Sequence, residues 1–202
     1  MKAKAMFNFK TLCRVSLFLF SLFCASVWAH VDGIAPQEHD TFFSGVLHPL
    51  TGLDHVSAMV AVGIWSALAL HRAWLAPTVF IIAMGVGMVL GTVGFGHVAI
   101  EPTIAVSVLV MGMLIAARDT LSLRAALVLV AAFGFCHGAA HGIVLHGISP
   151  FVPAAGMLLS TMVLHLLGVV LGQRAFAPQV WLQRLSGGAF AALGLALLSG
   201  LS

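Results

Sequence analysis

The sequence predicts an all-α, polytopic membrane protein: a bundle of six transmembrane helices following an N-terminal signal peptide. Hydrophobic residues make up 61% of the 202 positions and charged residues 7%, too few to coat a soluble domain of this size. Apolar runs recur along the chain, most of them reaching the roughly 20 residues that cross about 30 Å of hydrocarbon. The connections between them are short and leave no room for a soluble domain.

Residues 1–29 have the layout of a signal peptide. Lys2, Lys4, Lys10 and Arg14 precede an apolar run over 15–27, and Val27 and Ala29 put small residues at the −3 and −1 positions of a cleavage site. An uncleaved anchor, giving a seventh helix, is the alternative. Cleavage removes every lysine, so the net charge of +3 falls to near neutrality and no nucleic-acid partner is suggested. Cys13 and Cys24 leave with the segment, and Phe23 before Cys24 is too bulky for a lipoprotein cleavage site. Cys136 alone cannot form an intrachain disulfide, so helix packing has to hold the mature protein.

Residues 30–44 are expected to form a periplasmic segment containing His30, Asp32, Glu38, His39 and Asp40. A free α-amine beside the His30 imidazole is a chelating pair, and acidic neighbours raise the local concentration of cations. His30 and His39 are therefore candidate capture residues, with a solvated polar leader as the plainer alternative.

The transmembrane domain, 45–202, divides into apolar segments over 45–70, 75–97, 102–117, 122–146, 152–173 and 179–201, the third being short or tilted. Arg72, Arg118, Arg124, Arg174 and Arg184 all fall at the first, third and fifth connections. By the positive-inside rule that side is the cytoplasm of a bacterial inner membrane. The mature N-terminus, the loops at His97 and His146, and the C-terminus at Ser202 are then periplasmic. Gly85, Gly87, Gly91, Gly94 and Gly96 in the second segment, with Gly187, Gly188 and Gly194 in the sixth, predict close helix approach and a compact bundle. Two inverted groups of three helices are suggested only loosely, because the histidines of the first and fourth segments do not align residue by residue.

Ionisable residues at membrane depth cost about 2.5–3.5 kcal/mol each and are rarely kept without a use. The first segment holds His48, Asp54 and His55. A regular helix separates the two imidazoles by about 10.5 Å along its axis, so either His48 is an earlier stop at the mouth or the turn is distorted. Pro49 suits a first helical turn, and Gly52 loosens the stretch between them. Asp54 is either a ligand or a group that holds an imidazole, and Met59, one turn beyond His55, adds a soft donor. In the fourth segment His137 and His141, spaced i, i+4, share a face within chelating reach, and Gly138 and Gly142 open that face to a neighbour.

Counting at 1.5 Å per residue from the periplasmic side puts His55 about 16 Å deep and His137 and His141 about 13 and 8 Å deep. A joint site of Asp54, His55, His137 and His141 is thus geometrically possible. Imidazole and carboxylate suit nickel, copper, zinc and iron, whereas a copper(I) carrier favours clustered Met and Cys. His165 lies about 20 Å from the periplasmic end of the fifth segment and is either an exit station or proton relay, or a packed core residue. Met84, Met88, Met111, Met113 and Met157 either line a route or fill gaps in packing. A membrane metalloenzyme is disfavoured by the lack of a His-Glu-x-x-His motif, and a haem-binding anchor remains a minor alternative.

These residues resemble the signature of the HupE/UreJ family of hydrogenase and urease accessory proteins. The first segment is similar through His48, Pro49, Gly52, Asp54, His55, Ala58, Met59, Val62, Gly63 and Trp65; the fourth through His137, Gly138, Ala140, His141 and Gly142. Cys136 and Val144 depart from the Phe and Glu common at those positions. The resemblance implies a permease, not an enzyme, that takes up nickel, or alternatively cobalt or another divalent metal, for metalloenzyme maturation. It implies no permanently bound cofactor, and as partners the cation, the bilayer and, indirectly, hydrogenase or urease maturation proteins; a homo-oligomer is left open. The expected metal residues are His48, Asp54, His55, His137 and His141.

Overall fold

Thr41 and Ser44 cap each other at the start of helix α1 (Phe42–Thr51): the Ser44 N–H donates to Thr41 Oγ1 at 3.0 Å, and the Thr41 N–H donates to Ser44 Oγ at 3.2 Å. The computed structural model describes residues 41–94, 100–117, 121–145 and 150–200. The expected signal peptide over 1–29 and the candidate capture residues His30 and His39 lie outside the described residues.

After α1 come α2 (Leu53–Ala69), α3 (Leu75–Thr92), α4 (Ile100–Ala117), α5 (Leu123–Val144), α6 (Phe151–Leu171) and α7 (Val180–Ser199), with a π turn, Gly172–Phe176, extending α6. Among the described residues there is no strand, and the protein is a helical membrane protein. The helices α3, α5, α7 and the run Phe151–Phe176 are each long and apolar enough to cross a bilayer. The stretch Pro102–Ala117 of α4 is apolar but shorter, in keeping with the short third segment.

The first apolar segment differs from a single regular helix. It is broken at Gly52, whose backbone is extended (φ −96°, ψ 119°), and α1 and α2 meet at 85°. Pro49 sits in the last turns of α1 rather than in a first turn. Its missing N–H and its ring, which crowds the preceding turn, are both compatible with a helix about to end. The Thr51 hydroxyl takes up the freed carbonyl of His48 at 2.8 Å, and the Val56 N–H donates to the Gly52 carbonyl to start α2.

Packing follows the small residues. The closest pairings are α3 with α5, α4 with α7, and both α1 and α2 with α6. A Cβ on Gly87 would stand 2.2 Å from the Phe135 carbonyl oxygen, and one on Gly138 would stand 2.0 Å from that of Met84, so α3 and α5 touch backbone to backbone. On the other side of the bundle Gly63 of α2 and Gly168 of α6 face each other, and a Cβ on either would fall within 3.0 Å of the other's Cα.

The exterior and interior have the polarity lipid demands. Val86, Val163, Leu166 and Trp181 are exposed on the outside, whereas Ser107, Ser160, Thr161 and Gln183 are buried. Ser107, Ser160 and Gln183 bond to backbone, the Ser107 hydroxyl to Ile104 O at 2.6 Å, the Ser160 hydroxyl to Met157 O at 3.1 Å and the Gln183 amide across to Ile115 O at 3.1 Å, tying α7 to α4. Met59, Met84, Met88, Met111 and Met157 all lie in the apolar core, and Met113 is exposed.

Candidate functional site

The bend at Gly52 sets the geometry of the site, because it lets α1 and α2 present their polar residues to one region of α5. The His48 ring of α1 lies 5.0 Å, centroid to centroid, from the His141 ring of α5. The His55 ring of α2 lies 4.7 Å from His141 and 5.5 Å from His137. Four imidazoles from three helices thus stand in contact. The sequence left two alternatives for His48, and its place beside His141 corresponds to the distorted turn.

Asp54 occupies the first turn of α2, where a carboxylate is favoured by the positive end of the helix dipole. Its Oδ1 accepts both from the His55 backbone N–H and from His55 Nδ1, each at 2.8 Å. A carboxylate oxygen accepts only, so this bond places the His55 proton on Nδ1 and leaves the Nε2 lone pair as the ring's donor to a cation. His137 is set the same way by a different partner: its Nδ1 donates to the Phe133 carbonyl at 2.8 Å, one turn back on α5. The His137 Nε2 is buried and has no hydrogen-bond partner among the described residues.

Part of this cluster borders a cavity of about 490 Å³. His48, Asp54, His55 and His141 line it, together with Ala140, with Pro102, Ile104 and Ala105 of α4, and with Leu197 and Leu198 near the end of α7. His137 and His141 are buried, while Asp54 and His55 keep 30% and 16% of their side chains exposed, so the cluster runs from an accessible rim inward. In the arrangement seen, no three His, Cys, Asp or Glu side chains among the described residues are disposed to hold one ion. The rings meet edge to face or tilted, and one nitrogen of His55 is engaged by Asp54.

Met59 is fully buried in the apolar core and is not on the cavity wall. His165 is buried on α6, separate from the cavity. Cys136 is a free, half-buried thiol beside His137 in the sequence. Residues that sequence reasoning did not single out are those of α4 and α7 on the cavity wall. Pro, Ala, Ile and Leu in apolar segments carry no signal separating a cavity lining from any other packed face.

A family model described as HupE / UreJ protein matches residues 18–197 of the chain. The chain is 38% identical over 194 residues to Protein HupE of Rhizobium leguminosarum bv. viciae, a match covering 94% of this chain and 97% of that one. No solved structure matches.

Proposed function

From the premise that the chain belongs to the HupE/UreJ family, we propose that it is an inner-membrane permease that takes up nickel for the maturation of hydrogenase or urease. A hydrated divalent cation enters the cavity from the periplasm, exchanges water for imidazole and carboxylate, and is held transiently by His48, Asp54, His55, His137 and His141. The observation that carries this is the meeting of four imidazoles from α1, α2 and α5, three of which, those of His48, His55 and His141, line one cavity. Borderline nitrogen donors with a carboxylate suit nickel, and cobalt shares that preference.

Touching rings that do not yet enclose an ion suit a carrier. A rigid cage would retain its cargo, whereas a site completed by small ring rotations loads and releases. The wider architecture in this proposal is six spans after a cleaved signal peptide, with α1 and α2 together forming the first and both mature termini in the periplasm. The roles proposed are those of a transporter rather than an enzyme.

Radioactive nickel uptake in a strain lacking its own importer tests the proposal. Wild type is compared with Asp54→Ala and His137→Ala at equal membrane abundance. Each variant is expected to lose uptake by about 10-fold or more, the scale on which displaced ligands and their supports act. Wild-type uptake in both variants would discard the site.

A further inference from the structure

One more imidazole lies beyond the cluster. His165 of α6 is wholly buried, and its Nδ1 donates to the Thr161 carbonyl at 2.8 Å, one turn back on its own helix. That bond puts the proton on Nδ1 and the lone pair on Nε2, an atom that has no hydrogen-bond partner among the described residues. His137 of α5 repeats the arrangement, with Nδ1 on the Phe133 carbonyl at 2.8 Å and a buried, unpartnered Nε2. Leaving a buried acceptor unsatisfied is costly, and here the cost is borne twice by rings in the same tautomer.

A single side chain joins the two. The ring of Phe80, on α3, lies 5.2 Å from the His137 ring and 4.9 Å from the His165 ring, tilted 58° to one and 57° to the other. Phe80 is itself fully buried and borders none of the cavity that holds His48 and His141. One turn further along α3, Met84 Sδ accepts from the Thr161 hydroxyl at 3.6 Å, so α3 also brings a soft thioether against the residue whose carbonyl holds His165.

We propose that His165 is a second, inner station for the travelling divalent cation, separated from the outer cluster by the ring of Phe80. This rests on the transport function proposed above. Two imidazoles that meet the same aromatic ring, each with an unpartnered nitrogen among the described residues, give an ion a donor to leave and a donor to reach. The face of that ring attracts a cation electrostatically along the way. Holding by one imidazole is weak, which suits a stop on a path and not a storage site.

A purely structural role needs only the Nδ1–H bond to Thr161, and the amide of asparagine supplies that bond without supplying Nε2. His165→Asn is therefore the discriminating variant, with Phe80→Leu, which fills space but lacks the aromatic face, as the second. Full-length proteins are purified, their equilibrium nickel binding is titrated, and nickel uptake is measured after reconstitution into liposomes. Both variants are expected to bind nickel at the outer cluster as wild type does, and to import it about 10-fold more slowly. Import by His165→Asn at the wild-type rate overturns the inner station while leaving the outer cluster standing. A wild-type protein that binds no nickel overturns the outer cluster and the inner station together. Should His165→Asn fail to fold, Phe80→Leu decides: slowed import with intact binding supports the partition, and unaltered import refutes it.

Discussion

A single oxygen of Asp54 holds His55 at two points, receiving its backbone N–H and its Nδ1 at 2.8 Å each. The carboxylate is thereby both a helix-start acceptor and the group that fixes the imidazole's tautomer. Asn keeps an acceptor oxygen in that place, and Ala does not. Asp54→Asn should therefore retain more uptake than Asp54→Ala, with the alanine variant down about 10- to 100-fold, as expected when the support of a ligand is removed. Equal loss in the two variants, measured as initial rates of nickel uptake, would show that negative charge matters and positioning does not.

Gly52 lies against that pair. A Cβ added there would stand 2.6 Å from Asp54 Oδ1 and 3.0 Å from His55 Nδ1, while its backbone conformation is open to any residue. The cost of Gly52→Ala therefore falls on the site and not on the bend. Uptake should drop by about 10-fold, with helical content by circular dichroism unchanged. Preserved uptake would mean that the pair tolerates displacement.

Backbone contact between α3 and α5 makes a different demand. Gly87→Ala drives a methyl into the Phe135 carbonyl, and overpacking of this kind costs about 1–3 kcal/mol. Gly85, two residues earlier on the same helix, has no described residue within 4 Å of the corresponding position. Gly85→Ala should be neutral or slightly stabilising, since alanine is the better helix former by about 1 kcal/mol. Thermal unfolding of the two variants in detergent checks the contrast.

Protons and nickel compete for the same imidazole lone pairs, because a ligand must be deprotonated to bind. Acidifying the outer medium should thus lower nickel uptake, and returning the pH should restore it. Uptake that instead rises on acidification would indicate proton-driven entry and count against direct competition.

Beyond the first, the apolar segments of 45–202 each correspond to one helix, because a run of apolar residues long enough for lipid is favoured as a single helix. Residue counting along a straight first helix places His55 at a depth similar to that of His137 and His141, and the rings do meet, but on a segment broken at Gly52. The 85° bend could not be read from Pro49 and Gly52, since those residue types serve equally at a helix start, a kink or a break. Nor could the contributions of Pro102 and Leu197 to the cavity wall, which arise only from how α4 and α7 pack against the rest. The wide π turn after Leu171 likewise has no signature in the Gly172–Phe176 stretch.

Gly63 and Gly168 each occupy the space that a side chain on the other would need. Such a pair makes substitution conditional: enlarging one position is tolerated only after the two helices have already moved apart. Neither site can drift independently in a lineage, and among relatives these two columns should change in concert or remain fixed.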